Sequence, residues 1–178
     1  MLITSGSRTI EKLAEISHIV LDKTGTLTEG RLRVTTAHLA DDAPSIATCC
    51  RLLAATEVAH AQEHPAARAV FQWALQNLDE AKRNFEETTY VRARQSVLGK
   101  GVRCEIASQE GQTYVVHVGS RRFMEENSVD VASQLTNTAI SSSNTVVYFA
   151  IDEECVGNLI LQVRSISEAC FSQMILNA

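Results

Sequence analysis

The chain has 178 residues, of which 45% are hydrophobic and 21% are charged, and this composition is ordinary for one or two globular domains with a substantial core. A net charge of −5 and an aromatic content of 5% argue against a general nucleic-acid surface or an anionic-membrane surface. No stretch approaches the roughly 18 apolar residues of a membrane span, and the amino-terminus lacks a secretory leader. We therefore expect a soluble segment on the cytosolic side, not itself inserted in a membrane.

The cysteine pattern gives no sign of a disulfide framework or a zinc site. The number of cysteines is odd, and no two of them form a C-x-x-C pair. Neighbours in a helix point about 100° apart and chelate poorly, so buried packing is predicted for Cys49 and Cys50. The full set is Cys49, Cys50, Cys104, Cys155 and Cys170.

The first 30 residues predict one helix, one strand and a loop. Residues 6–15 carry apolar side chains at helical spacing. Residues 16–22 form an apolar, β-branched run that is typical of a buried strand in an α/β sheet, and this run ends on Asp22. Glycines and threonines then predict a loop over residues 23–30. Since active sites of open α/β sheets gather at the carboxyl ends of strands, Asp22 is a candidate site residue.

The middle of the chain predicts two helices after a break. Residues 31–39 are predicted as a strand or linker, and we place a domain boundary at residues 40–44. A helix is predicted over 44–58. A second helix is predicted from His64 to about residue 77, because proline at position 65 suits the first helical position.

The second half of the chain is predicted to be rich in strands. Together with the two preceding helices, it predicts an α+β fold with an antiparallel sheet flanked by helices. Residues 1–40 alone contain too few elements to close a core. The predicted elements are strands at 88–97, 101–108 and 113–119, a helix at 120–127, a helix and loop at 129–143, a hairpin of 145–152 with 155–163 around Glu153–Glu154, and a final helix at 165–178.

The segment Asp22-Lys23-Thr24-Gly25-Thr26-Leu27-Thr28 offers the chemistry of phosphoryl transfer. A carboxylate at a strand end can act as a nucleophile, and the ammonium and hydroxyl groups beside it can hold phosphate oxygens. Gly25 allows a sharp turn whose amides face an anion. Attack of a carboxylate on a phosphoryl group also needs cations, and Mg²⁺ is expected to supply most of that charge.

This segment resembles, letter for letter, the DKTGTLT motif of P-type ATPases, and residues 7–21 are similar to the lead-in of heavy-metal members. The resemblance implies that Asp22 accepts phosphate from ATP, assisted by Lys23 and Thr24, and that Asp22 and Thr24 contact Mg²⁺ in the intact pump.

Related dehalogenase-type phosphatases place an acid/base aspartate two residues after the nucleophile. Thr24 occupies that position here, which disfavours a phosphatase.

The residues Glu63-His64-Pro65 resemble the S-E-H-P-like nucleotide motif of heavy-metal P-type ATPases, in which the histidine positions adenine. Without that resemblance, His64 would be interpreted as a helix cap or a core histidine. The family also has an acidic residue a few positions before the histidine. Ala59 stands at that spacing here, so either Glu57 serves instead or the contact is missing; His60 is a further candidate.

Two glycine-containing segments complete the predicted nucleotide site. Gly99-Lys100-Gly101 matches a G-x-G that lets the backbone approach nucleotide phosphates, with Lys100 adding charge, although the same residues also suit a simple hairpin turn. Gly119-Ser120 opens a helix where the family usually has Gly-Asn, and Ser120 could also cap that helix.

The resemblance implies three parts: the start of an α/β haloacid-dehalogenase-like phosphorylation domain at 1–40, a nucleotide-binding domain at 41–163, and a return segment at 164–178. In the stretch that leads into this return segment, Gln162 stands where the family usually has an aspartate. The implied partners are ATP, Mg²⁺ and the remaining phosphorylation, actuator and membrane domains, with copper the commonest cargo and zinc, cadmium or lead as alternatives. The magnesium-binding Gly-Asp-Gly segment does not occur here, so we expect this chain alone to bind ATP but hardly hydrolyse it. A stand-alone nucleotide-binding or regulatory module, or a non-catalytic remnant, is the alternative.

Overall fold

The computed structural model describes Ser17 and residues 28–78, 89–109, 111–131 and 144–165. Three of the predicted elements lie outside the described residues or almost entirely so: the helix at 6–15, the strand that ends on Asp22 and the helix at 165–178. The chain divides into two compact units, one of Met1–Arg31 with Val163–Ala178 and one of Leu32–Gln162. The second unit holds most of the described structure.

Six strands of the described chain form one sheet in the order β1-β6-β5-β4-β3-β2. The pairs from β2 through β6 are antiparallel. The edge strand β1 lies beside β6, where the Thr35 hydroxyl donates to the Ile160 carbonyl at 3.1 Å. This arrangement confirms the predicted antiparallel α+β sheet. The strands are β1 Thr28–Leu39, β2 Thr89–Val97, β3 Gly101–Ser108, β4 Thr113–Gly119, β5 Thr145–Ile151 and β6 Glu154–Ser165.

Within the described residues, three helices accompany the sheet: α1 Ile46–Glu57, α2 Pro65–Gln76 and α3 Arg121–Glu126. Helix α1 begins after Ser45, whose hydroxyl accepts from the Thr48 amide at 3.2 Å and satisfies one unpaired donor of the first turn. Helix α2 begins with proline at its first position, as predicted.

The sheet has an apolar core on each face. Helices α1 and α2 cover one face, where fully buried side chains such as Leu53 and Val70 join Ile106 and Phe149 from the strands. Helix α3 and the residues after it cover the other face, with Phe123 against β5. Successive residues of a strand can both be buried, because alternate side chains point to opposite faces of the sheet and both faces are covered. The predicted packing of Cys49 and Cys50 is confirmed, since both are fully buried in the first core.

One detail differs from the sequence prediction. The β5–β6 hairpin turns at Asp152–Glu153, one residue earlier than predicted, and both residues have positive φ values of 50° and 72°. The Asp152 carboxylate accepts from the Val115 amide at 2.7 Å, which fixes this turn against β4. The compact second unit begins at Leu32 and so includes most of β1.

Among the described residues, none of the helices has the length and apolar character required to cross a bilayer.

Candidate functional site

A cavity of about 370 Å³ lies in the unit Leu32–Gln162, where the end of α1 and the start of α2 meet the ends of several strands. Its size lies within the range of about 300–1,000 Å³ that is usual for small-molecule sites. Apolar side chains form most of the wall, and a few polar groups converge on it. The wall contains Glu57, His60, Glu63, His64, Ala66, Ala67, Val70, Ser96 to Val102, Val118, Gly119, Ser120 and Thr145 to Val147.

Two glycines bring backbone close together at one side of the cavity. Gly101 and Gly119 are directly paired on β3 and β4. A Cβ on Gly101 would lie 2.5 Å from the Val118 carbonyl oxygen and 2.9 Å from the Gly119 Cα. A Cβ on Gly119 would lie 2.5 Å from the Lys100 carbonyl oxygen. Neither position can carry a side chain, because the atoms in the way are backbone atoms, so this wall is bare main chain.

The segment between α1 and α2 is a compact turn that presents two histidines. The His64 amide donates to the His60 carbonyl at 2.9 Å. Arg68 on α2 reaches back over this turn, with Nε donating to the Ala61 carbonyl at 2.9 Å and a terminal nitrogen donating to the Gln62 carbonyl at 2.7 Å. His64 is the residue before α2, but its side chain makes no capping hydrogen bond and is exposed at the cavity.

Glu57 is the last residue of α1 and is only 4% exposed. Burial raises its pKa to about 7, and the nearby Arg94 guanidinium partly opposes this shift. Arg94 also donates to the Ala55 carbonyl at 2.8 Å and so holds the end of α1. Burial, with Arg94 again nearby, lowers the pKa of His60, which favours the neutral imidazole at pH 7. Glu57 and His60, which both line the cavity, are therefore neutral or only partly ionised near pH 7.

A charged cluster surrounds Lys100, which lines the cavity. The Lys100 ammonium donates to both carboxylate oxygens of Glu126, at 2.8 and 2.7 Å. Arg122 Nε donates to the same carboxylate at 2.9 Å. The Ser120 hydroxyl accepts from the Phe123 amide at 3.3 Å and so caps α3. Glu126 is not a lining residue, and both Lys100 and Glu126 are partly exposed.

All the residues predicted for the nucleotide site line this one cavity: Glu57, Glu63, His64, Gly99, Lys100, Gly101, Gly119 and Ser120. Ala59, at the family's usual acidic position, is exposed and does not line the cavity, whereas Glu57 does. The predicted phosphorylation residues Asp22, Lys23 and Thr24 lie outside the described residues.

Sequence reasoning missed several residues that build the site. Arg68 and Arg94 hold the turn and the end of α1 by donating to main-chain carbonyls. No local pattern marks such contacts, because they depend on which segments the fold brings together. Val70 and Val146 line the cavity, but apolar residues in a helix and a strand give the same signal as core residues. Glu126 was placed in a short helix without a role.

No group of three metal-ligating side chains occurs within the described ranges. The predicted Mg²⁺ contacts, Asp22 and Thr24, belong to the part of the chain outside them.

Comparison with known proteins shows the family of this chain. Residues 16–173 match the family of haloacid dehalogenase-like hydrolases, and the chain belongs to that family. Its sequence relatives are heavy-metal P-type ATPases, which confirms the resemblance stated from the motif. A cation-transporting ATPase, HMA5 of Oryza sativa subsp. japonica, is 28% identical over 173 residues, covering 88% of this chain and 16% of the relative. A copper-exporting P-type ATPase of Staphylococcus saprophyticus is 30% identical over 159 residues, covering 88% of this chain and 17% of the relative.

Solved structures share the fold. The catalytic domain of the CPx-ATPase CopB-B, from work on its conformational changes upon nucleotide binding, aligns with a TM-score of 0.55 and 20% identity, over 97% of this chain and 55% of that one. A zinc-transporting PIB-type ATPase in its E2.Pi state aligns with a TM-score of 0.54 and 24% identity, over 88% and 23%. The chain thus spans a small part of the relatives that it matches.

Proposed function

We propose that this chain is the nucleotide-binding part, with the beginning of the phosphorylation domain, of a heavy-metal-transporting P-type ATPase on the cytosolic face of a membrane. The observation that carries the proposal is the cavity: residues chosen from motifs at three separate places in the sequence all line it. Copper is the proposed cargo, because the names of several relatives specify copper.

The cavity suits an adenine nucleotide in one orientation. Its apolar side, with Val70 and Val147, offers a dry surface for the base, and the exposed His64 ring can stack on that base or hydrogen-bond to it. Glu57 lies at this end and is proposed as the group that contacts the adenine edge. The bare main chain at Gly101 and Gly119 allows phosphates to approach closely, and Lys100 adds a positive charge there.

Asp22 is proposed as the acceptor of the γ-phosphoryl group in the intact pump. A carboxylate oxygen forms a bond to the γ-phosphorus while the bond from that phosphorus to the ADP oxygen breaks, and ADP leaves. Thr24 cannot act as the acid/base that dehalogenase-type phosphatases use, so the aspartyl phosphate persists. Oxygen ligands such as those of Asp22 and Thr24 suit Mg²⁺, which would neutralise the phosphoryl oxygens when bound.

Titration of the chain with ATP tests the binding proposal. We expect amide chemical-shift changes in NMR spectra at His64, Gly99, Gly101 and Gly119. His64→Ala should weaken ATP binding about ten-fold, because stacking on a base contributes about 1–3 kcal/mol. Gln72→Ala is the control, since Gln72 is exposed on the same helix but does not line the cavity. Shift changes that map away from the cavity, or equal affinities for both variants, would contradict the proposal.

Phosphoryl transfer can be tested separately. We expect the 178-residue chain alone to show negligible steady-state ATP hydrolysis, because it lacks the family's magnesium-binding segment. In a pump that contains this sequence, transfer of labelled γ-phosphate should be lost in Asp22→Asn. Robust turnover by the isolated chain would refute the first expectation, and labelling that survives Asp22→Asn would refute the second.

A further inference from the structure

The Lys100 ammonium is already bound to an anion within the protein. Both carboxylate oxygens of Glu126 accept from it, at 2.8 and 2.7 Å, so two of its three hydrogens are engaged. The side chains are 34% and 40% exposed, so solvent and solutes can reach the contact, and Lys100 itself lines the cavity. A carboxylate that takes two hydrogen bonds from one ammonium occupies the place where a phosphate oxygen of a ligand would bind.

The charges around this contact decide what Glu126 does to an incoming anion. Lys100 and Arg122 both donate to Glu126, and their hydrogen bonds lower the pKa of the Glu126 carboxyl, so it is ionised at neutral pH. The three groups together carry one positive charge instead of the two that Lys100 and Arg122 would present. An anionic ligand at Lys100 must therefore displace Glu126 or bind beside its negative charge.

We propose that Glu126 is an affinity-setting residue of the cavity: it holds Lys100 in the absence of ligand and so weakens binding of the phosphate chain of a nucleotide. This inference rests on the proposed nucleotide function and adds to it a discrimination between nucleotides by their number of phosphates. The weakening grows with the number of phosphates, because repulsion from one fixed carboxylate scales with the charge of the ligand. A ligand without phosphate is unaffected.

Helix α3 supplies a matched comparison. Glu125 is the neighbouring residue and pairs with Arg121 at 3.0 Å, with both side chains about 60% exposed. Replacing either glutamate with glutamine changes the net charge equally and removes an i,i+4 pair from the same short helix, because Glu126 also pairs with Arg122 at that spacing. None of the four residues of these two pairs lines the cavity, but Glu126 contacts Lys100, which does. The two glutamates therefore differ in the contact with the Lys100 ammonium, which Glu126 makes.

The experiment measures affinities for ATP, ADP, AMP and adenosine by calorimetry, in magnesium-free buffer of low ionic strength. Glu126→Gln should bind ATP about three-fold more tightly than the parent chain, with smaller gains for ADP and AMP and none for adenosine. Added salt should reduce the gain, because the charges are accessible to solvent. Glu125→Gln should leave all four affinities unchanged.

A second variant tests whether Glu126 competes with the phosphates of the ligand for Lys100 or has only a structural role. In a Lys100→Met background, Glu126→Gln should no longer improve ATP binding, because there is no ammonium to release. Unchanged or weaker ATP binding by Glu126→Gln, or an equal gain for adenosine, would overturn the inference while leaving the nucleotide function in place. If neither ATP nor adenosine binds the parent chain, the proposed function fails, and this inference fails with it.

Discussion

Gly101→Ala is expected to destabilise the fold by about 3 kcal/mol and to abolish measurable nucleotide binding. The new Cβ would lie 2.5 Å from the Val118 carbonyl oxygen and 2.5 Å from Phe123 Cδ1. The carbonyl cannot move without breaking the β3–β4 pairing, in which Gly101 faces Gly119. Strand separation at this point would also displace the bare main chain that lines the cavity. Urea unfolding and an ATP titration measure the two effects.

Gly111→Ala provides the control for this substitution. Gly111 has a φ of +84°, and no atom lies within 4 Å of the position where its Cβ would be. The change should therefore cost only the backbone strain of a left-handed conformation, about 1 kcal/mol, and should not alter ATP affinity. If Gly101→Ala were no more destabilising than Gly111→Ala, the close approach of β3 and β4 at the cavity would be wrong.

Glu57→Gln is expected to stabilise the chain at pH 8 by about 3 kcal/mol and to have little effect below about pH 4.5. In the folded chain, burial raises the pKa of Glu57 from its ordinary value of 4.5 to about 7. The folded state therefore holds this proton more tightly than the unfolded state. The resulting stability is fully present below about pH 4.5 and is lost as the pH rises through about 7, since above that value a buried carboxylate must be ionised.

Urea unfolding of both proteins at pH 5 and pH 8 tests this pH dependence. The difference in unfolding free energy between Glu57→Gln and the parent chain should grow between these values. Glu63→Gln is the matched control: Glu63 also lines the cavity, but it is exposed, so its charge carries little desolvation penalty. A pH-independent difference for Glu57→Gln would show that the carboxyl of Glu57 is not held in the buried environment described above.

The sequence predicted the elements of the sheet well, because hydrophobic periodicity and the prolines and glycines that mark the ends of elements are local signals. The start of α2 at Pro65 and the strands on either side of Lys100 are examples. The turn at Asp152–Glu153 was displaced by one residue, since neither residue is a glycine that would mark positive φ. The local sequence could not decide whether residues 31–39 form a strand or a linker, because the place of β1 at the sheet edge depends on pairing with β6.

The candidate site was predicted from motif resemblance more than from chemistry. His64, Gly99 and Gly119 have ordinary structural explanations when each is considered alone, and the cavity is what unites them. The contact between Lys100 and Glu126 joins residues 26 positions apart on different elements, and no spacing rule predicts it. The same holds for Arg94, which reaches the end of α1 from a residue 39 positions later.

The two hydrogen bonds from Arg68 to the turn between α1 and α2 have a consequence for binding kinetics. They tie the segment before His64 to a helix, so this end of the cavity is already ordered before any ligand arrives, and a base can enter without the entropy loss of arranging a loop. At the other end, a flexible lysine must change partners. If the proposed nucleotide function holds, the side with His64 should therefore act as a fixed anchor for the base, and differences in residence time between nucleotides should arise at Lys100.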